Sequence, residues 1–264
     1  MSGVIVRWTI GQTKAREFSP QALDLLDMSV KFGIFVMDGE ELDVEYFICH
    51  NNLAPETLDK VKGIAGSNGV ALVDVNDMLP KELRNNNVKN SWWKFSPPRL
   101  DTKKYEIIID NDVVVWRMPK TLKDAIAKGS LVALTDGVGG YYGKFRQCIQ
   151  AIDPNLCLNA GLLGLPPDIK MDPREVLKDL PNELFYSEQG FTAFKFAQYP
   201  GMKVLIPRSE VEQLNVNAVA PQDLINSYDG GHFCGCSYGH FYFWQNSYAK
   251  IVREHYNKVR EGMA

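Results

Sequence analysis

The chain has 264 residues, of which 45% are hydrophobic, and a formal net charge of -3 at pH 7. This length and composition predict one globular domain with a substantial core. The charge argues against a nucleic-acid partner, and no apolar stretch is long enough for a membrane span. Five cysteines, an odd number in a chain that needs no disulfides, indicate a reduced compartment. We therefore predict a cytoplasmic protein, with peripheral membrane association and a virus-infected host as open alternatives.

Strands and helices alternate along the first part of the chain. The predicted elements are a strand at Val4–Trp8, a turn at Gly11, a helix from Ser19-Pro20 to about Gly33, a strand at Tyr46–Cys49, a helix from Pro55 to about Ile64, a strand at Val70–Val75 and a short helix at Leu79–Arg84. Alternation at this spacing predicts βαβ units, and hence an α/β, Rossmann-like fold with a mostly parallel central sheet flanked by helices.

A polar segment that contains tryptophan and proline, Asn85–Asp101, interrupts the alternation and is predicted to be a functional loop. The β-branched strand after it, Tyr105–Ile109, ends at Asp110-Asn111-Asp112 and is followed by the apolar run Val113–Trp116. Open α/β sheets bind ligands at the carboxyl ends of their strands. Two carboxylates there can offer hard oxygens to Mg²⁺ or Mn²⁺. The alternative is a plain turn, which these residue types also favour.

The second half of the chain is less regular and shows no domain boundary. The predicted elements are a helix at Thr121–Lys128, a strand at Leu131–Thr135, a flexible segment at Gly137–Gly143, a strand at Leu158–Leu165, a helix at Pro173–Leu180, a helix capped by Ser187, a strand at Met202–Ile206 and an amphipathic helix at Ser247–Val259. We therefore predict a single domain.

Four short motifs of polar residues and glycine follow one another along the chain. They are Asp110-Asn111-Asp112, Asn159-Ala160-Gly161, Glu188-Gln189 and His232-Phe233-Cys234-Gly235. Their order resembles that of the nucleotide-sugar glycosyltransferases of the GT-A fold, whose glycogenin-like members carry DxD, Asn-Ala/Ser-Gly, Asp-Gln and His-Phe-x-Gly. The resemblance implies one GT-A domain over residues 1–264, with a nucleotide-binding half at 1–116 and an acceptor and sugar half at 117–264.

The resemblance also implies a metal cofactor, Mn²⁺ or Mg²⁺. A divalent ion stabilises the charge that develops on the diphosphate when the C1–O bond of a sugar nucleotide breaks. Asp112 is the expected direct ligand, and His232 is expected to join it. Asp110 is expected to share the metal or to hold the ribose hydroxyls, with Asn111 beside it in the nucleotide site.

His232 has two other interpretations. With Cys234, Cys236 and His240 it supplies four potential zinc ligands, although the Cys-x-Cys spacing departs from the usual paired pattern. It can equally be a buried histidine among aromatic residues and small core cysteines.

The diphosphate needs a cationic partner. The lysine that the family carries beyond its His-Phe-x-Gly motif has no counterpart here, where Gly239-His240 stands. Lys94 and Arg99 are the candidate replacements, because both precede the Asp-Asn-Asp strand and Arg can bind two phosphate oxygens. The alternative for each is a solvated surface charge. Trp93 is a candidate for stacking on a sugar or base, or else an anchor of the loop.

Glu188 is the candidate catalytic acid or base outside the Asp pair. An inverting enzyme would use it to deprotonate the acceptor, a retaining enzyme would use it to bind the donor sugar, and acids also simply favour helix starts. Asn159 is expected to hydrogen-bond the donor sugar or the acceptor, or to cap a strand edge. Gln189 is expected to contact the sugar nucleotide.

These residues predict a metal-dependent transferase that moves a sugar from a nucleotide-diphosphate sugar, with a UDP-sugar favoured, to a hydroxyl of a glycan or another acceptor. The glycogenin-like motifs favour retention over inversion. One alternative is a nucleotide-sugar-binding protein without transfer activity. The other is a sugar nucleotidyltransferase, against which stands the isolated Gly11 where a Gly-rich phosphate loop would be expected.

Overall fold

The computed structural model describes residues 3–11, 18–78, 91–136, 142–177, 187–214, 219–234, 244 and 247–262. In these ranges a central sheet of seven strands is flanked by helices, and a second sheet of three strands accompanies it. The α/β architecture with a mostly parallel central sheet, predicted from the sequence, is thereby confirmed.

The central sheet consists of β1 (Val4–Gly11), β2 (Val44–Asn51), β3 (Ala71–Asp74), β4 (Tyr105–Asp110), β6 (Leu131–Thr135), β7 (Leu158–Leu165) and β8 (Lys203–Ile206). Its spatial order is β3-β2-β1-β4-β7-β6-β8. β7 pairs antiparallel with both neighbours, whereas the other neighbouring strands pair parallel. The small sheet consists of β5 (Val113–Val115), β10 (Gly230–His232) and β9 (Val211–Gln213), in that spatial order.

The described helices are α1 (Pro20–Asp38), α2 (Pro55–Ser67), α3 (Lys120–Lys128), α4 (Arg146–Ile152), α5 (Arg174–Leu177), α6 (Ser187–Gln198), α7 (Pro221–Ser227) and α8 (Ser247–Arg260). Short 3-10 turns lie at Asn76–Met78, Ser91–Phe95 and Gly143–Phe145. Of the helices in the ranges given above, none is both long and apolar enough to cross a membrane.

Three apolar clusters hold these layers together. The first includes Trp8 of β1 and packs one face of the sheet against α1 and α2. The second lies on the opposite face, where the rings of Trp92 and Phe191 approach to 5.5 Å between centroids. The third joins α1, α8 and the small sheet, and in it Phe233 meets Trp244 edge-on at 4.9 Å. The sheet is therefore covered on both faces, as parallel sheets require.

One of two glycines that were expected to end elements does not do so. β1 extends beyond the predicted Trp8 and has Gly11 as its last residue. α1 continues past Gly33 to Asp38, and Gly33 packs against Trp8 of β1. A Cβ at Gly33 would lie 2.5 Å from Cζ2 of Trp8. Glycine is needed at this position for contact with the sheet, and it does not terminate the helix.

Several elements were not predicted, and some predictions lie outside the described residues. The unpredicted elements are α4, α7, β9 and β10. The predicted helix at Leu79–Arg84, positions 137–141 of the glycine-rich segment and the end of the predicted Pro173–Leu180 helix lie outside the described residues. The described part of the polar segment before β4 contains a 3-10 turn with buried aromatic rings.

A pair of glycine substitutions tests this packing. We expect Gly33→Ala to lower the free energy of unfolding by about 1–3 kcal/mol, since the new methyl group overpacks the contact with Trp8. Gly63→Ala, in α2, meets nothing within 4 Å and should raise the free energy by about 0.5–1 kcal/mol. Urea unfolding measures both, and equal effects of the two variants would contradict the close approach.

Candidate active site

Strand topology brings the four motifs to one edge of the central sheet. β4 ends there at Asp110, and because β7 runs antiparallel to β4, its first residues reach the same edge. The first turn of α6 carries Glu188 and Gln189. Phe233, which follows β10, donates its backbone N–H to the carbonyl of Asp112 at 2.8 Å. Residues as distant in the sequence as Asp112 and Phe233 thus come together at this edge.

The ammonium of Lys94 connects three of these elements. Its Nζ lies 3.0 Å from the carboxylate of Asp110 and 2.7 Å from Oε1 of Glu188. It also donates to the carbonyl of Ala160, in β7, at 3.1 Å. The Lys94 side chain is 1% exposed. The ammonium therefore donates hydrogen bonds to Asp110 and to the Ala160 carbonyl, and it forms an ion pair with Glu188.

The pKa values of Asp110 and Lys94 are both raised in this network, which disfavours the charged form of the aspartate and favours the charged form of the lysine. Burial raises the pKa of Asp110, the ammonium of Lys94 opposes that rise, and the carboxylates of Asp112 and Glu188 add to it, so that the pKa is about 6. For Lys94, burial alone would lower the pKa, but Asp110 and Glu188 outweigh it and raise the pKa. Lys94 is therefore cationic at neutral pH.

Asp112 and His232 form a second pair beside this network. His232 Nε2 lies 3.4 Å from Oδ1 of Asp112, and both side chains are buried. Burial alone lowers the pKa of His232, but Cys234 and Asp112 outweigh it and raise the pKa well above its usual value. The imidazole packs directly on Gly161, where a Cβ would lie 2.6 Å from Cε1 of the ring. Glycine in the Asn159-Ala160-Gly161 motif is thus required for the position of the histidine.

The Asp112 and His232 pair fits a divalent cation. Adjacent ligands of an octahedral ion lie about 3 Å apart when its bonds are near 2.1 Å, close to the separation of the two atoms here. Carboxylate oxygen with imidazole nitrogen suits Mn²⁺. Within the described ranges, no three His, Cys, Asp or Glu side chains are arranged to hold a metal by themselves. A bound diphosphate or water would supply further ligands. Cys236 and His240, needed for the zinc alternative, lie outside the described residues.

Asn159 and Gln189 are both held by polar contacts at this edge. Asn159 is buried, and its Oδ1 accepts the backbone N–H of Gly161 at 2.8 Å. Gln189 Nε2 donates to Oδ2 of Asp136 at 3.0 Å. Asp136 directly follows β6 and was not singled out from the sequence, although it follows an apolar strand just as the Asp-Asn-Asp motif does. That shared pattern is the signal that identifies it.

Arg99 is not brought to this cluster. Its Nε pairs with Glu106 at 3.2 Å, and its other nitrogens donate to carbonyls, among them those of Pro166 and Lys104 at 2.6 Å each. Glu106 also pairs with Arg7 at 2.9 Å. Because Glu106 precedes Asp110 by four positions in β4, this network lies about 13 Å from Asp110 along the strand. Each nitrogen of the guanidinium has an acceptor inside the protein, so we leave Arg99 out of the diphosphate site.

Asn111 and Trp93 are the remaining candidates. Asn111 is buried in the turn between Asp110 and Asp112. Trp92, the neighbour of Trp93, is fully buried in the second apolar cluster. The side chain of Trp93 lies outside the described part of the chain.

Solved structures with the same fold support the fold assignment. No protein-family model and no curated protein matches the sequence. The chain is similar to the galactosyltransferase LgtC in complex with donor and acceptor sugar analogs, with 13% identity and a TM-score of 0.52 over 98% of this chain and 100% of LgtC. It is similar to mouse xyloside xylosyltransferase 1, with 8% identity and a TM-score of 0.55 over 89% of this chain and 98% of that one. It is also similar to the bifunctional glycosyltransferase WbbM, with 13% identity and a TM-score of 0.59 over 97% of this chain and 50% of that one.

The chain therefore has the GT-A fold, as the order of its motifs predicted.

Replacing Arg99 tests its assignment to the structural network. We expect Arg99→Met to lower the free energy of unfolding by about 3 kcal/mol or more, because buried acceptors lose their donor. Arg146→Met removes an exposed arginine at the start of α4 and should change stability little. Urea unfolding at pH 7 measures both variants. A stable Arg99→Met protein that binds nucleoside diphosphates more weakly would instead support phosphate binding.

Proposed function

We propose that this protein is a metal-dependent glycosyltransferase that moves a sugar from a nucleoside-diphosphate sugar to a hydroxyl of a glycan or another acceptor. One observation carries the proposal. In a GT-A fold, the buried ammonium of Lys94 gathers Asp110 and Glu188 at the carboxyl edge of the sheet, next to the Asp112 and His232 pair. The fold is shared with LgtC, whose solved complex contains donor and acceptor sugar analogs.

Asp112 and His232 are the residues that would hold Mn²⁺ or Mg²⁺. When bound, such an ion offsets the negative charge that develops on the departing diphosphate. Asp110 and Asn111 stand beside them and are proposed to bind the ribose or to complete the metal site. A UDP-sugar as donor, a role for Trp93, a cytoplasmic location and the division into halves at 1–116 and 117–264 stay predictions.

Lys94 takes a different role from the one that its position in the sequence suggested. The buried ammonium already donates to Asp110 and to the carbonyl of Ala160 and pairs with Glu188, so it is engaged inside the protein and not turned towards a phosphate. We assign Lys94 to holding Asp110 and Glu188 in place. It is an internal counter-ion that keeps two carboxylates close together at the sugar end of the site.

Glu188 then fits the donor-sugar role better than the role of a base. Its carboxylate forms an ion pair with a buried ammonium at 2.7 Å, and that ammonium also pairs with Asp110. A carboxylate that is held in this way can accept hydrogen bonds from sugar hydroxyls, and Asn159 at the start of β7 is the second candidate for such contacts. This arrangement supports the retaining stereochemistry that the motifs favour.

The test of the proposal is a donor panel. Purified protein is incubated with UDP-, GDP- and CDP-sugars in the presence of Mn²⁺ or EDTA, and free nucleoside diphosphate is measured. We expect metal-dependent release from one donor and a loss of about 100-fold or more in Asp112→Asn. Asp168→Asn is the matched control, because Asp168 is exposed and accepts a hydrogen bond from Tyr199, away from the site. Donor binding without release of nucleoside diphosphate, with or without added acceptors, would favour the binding-protein alternative. Release of pyrophosphate would favour the nucleotidyltransferase.

The role of Lys94 is tested by a double-mutant cycle. We expect Lys94→Met to lower turnover by about 100-fold, since Asp110 and Glu188 lose the charge that holds them together. If Lys94 acts through Glu188, its effect should be much smaller in a Glu188→Gln background than in the wild type. Thermal unfolding verifies that each variant is folded. Strictly additive losses would show that Lys94 acts independently of Glu188.

A further inference from the structure

The contact between Gln189 and Asp136 fixes the direction of an amide at the edge of the site. Gln189 stands directly after Glu188 in the first turn of α6, and its Nε2 donates to Asp136 at 3.0 Å. Asp136 is 5% exposed. In the order of the central sheet, the strand that Asp136 follows is two positions from β4. Asp136 therefore lies about 10 Å across the sheet from the end of β4.

A carboxylate accepts hydrogen bonds and donates none, so the NH₂ group of Gln189 has to face Asp136. The carbonyl oxygen of the same amide then points away from Asp136. That oxygen has lone pairs and no hydrogen, so it accepts from hydroxyl or N–H groups only. Without Asp136, the amide could turn and present its NH₂ group instead. An aspartate at position 136 thus makes Gln189 present its carbonyl oxygen, a hydrogen-bond acceptor, on the side away from Asp136.

The charge at this edge narrows the ligand further. Lys94 stands between Asp110 and Glu188, and His232 stands beside Asp112, so these three carboxylates have partners at this edge. Asp136 faces the amide of Gln189 instead of a cation in the contacts described above. A carboxylate on a sugar that reached Gln189 would therefore meet an acceptor oxygen with a buried aspartate behind it.

Building on the proposed function, we propose that Asp136 is a positioning residue that fixes Gln189 as a hydrogen-bond acceptor, and that the donor sugar is therefore a neutral sugar that offers a hydroxyl to Gln189. A ligand with a group that only accepts, such as fluorine, a methoxy group or a carboxylate, would face two opposed acceptors at this point. The predicted substrate class is thus a nucleoside-diphosphate hexose or pentose without an acidic group.

The test uses the donor that the panel identifies and its set of monofluoro analogues, in which one hydroxyl at a time is replaced by fluorine. Inhibition constants are measured for the wild type, Asp136→Asn and Gln189→Leu. In the wild type, we expect one position to bind about tenfold more weakly as the fluoro analogue, because its hydroxyl donates to Gln189. In Asp136→Asn that penalty should fall to about twofold, since asparagine can donate to the amide and let it turn. Gln189→Leu should lose the penalty as well. This variant tests the acceptor role of Gln189 even if Asp136→Asn does not fold.

The controls separate this inference from the proposed function. Asp168→Asn makes the same chemical change at an exposed aspartate and should keep the penalty. A wild type that releases nucleoside diphosphate from a donor but binds all fluoro analogues equally would overturn the role of Gln189 and leave the transferase intact. The same holds if Asp136→Asn keeps the full penalty, or if the uronic acid counterpart of the donor binds as tightly as the neutral sugar. A wild type that binds no sugar nucleotide would overturn both.

Discussion

The buried ammonium of Lys94 is the interaction on which the arrangement of the site depends. A charge that is taken out of water is tolerated only where other groups replace its hydration, and here two carboxylates and one carbonyl do so. These acceptors come from β4, β7 and α6, which are far apart in the sequence. The need to satisfy one lysine therefore ties the end of a strand, the start of its antiparallel neighbour and a helix N-terminus to one point.

A second buried network at the other end of β4 completes this attachment. Arg99 follows Lys94 by five residues, and with Arg7 it surrounds the carboxylate of Glu106. The segment 91–101 is therefore held by charge at both ends of the same strand, while Trp92 and Phe95 pack its middle into the core. Both networks are costly to break, because loss of one partner leaves another charge buried. The segment is thus anchored to both ends of β4, although its composition is that of a loop.

The sequence was informative wherever local pattern decides structure, and less so wherever distant partners decide it. Strand and helix alternation and the buried β4 run predicted the α/β architecture, because hydrophobic periodicity acts over a few residues. The order of the four motifs implied the GT-A fold through its resemblance to known glycosyltransferases. The ion-pair partner of a lysine or arginine side chain depends on the folded structure and cannot be read from the neighbouring residues. The sequence therefore offered both Lys94 and Arg99 for the diphosphate, whereas in the structure they pair with carboxylates at opposite ends of β4. Gly33 shows the same limit, since a glycine that allows contact with Trp8 resembles a helix terminator in the sequence.

The Asp-Asn-Asp turn joins the central sheet to the small sheet, a position that the sequence alone does not reveal. Asp110 is the last residue of β4 in the central sheet, and Val113 is the first residue of β5 in the small sheet, where it pairs with His232. Asp110 is therefore oriented by the central sheet and its Lys94 network, whereas Asp112 is oriented by the small sheet, which Phe233 and Trp244 hold against α1 and α8. A ligand that contacts both aspartates has to bridge the two sheets. Binding of such a ligand would depend on how the small sheet packs, and residues of the third apolar cluster would affect it without touching the ligand.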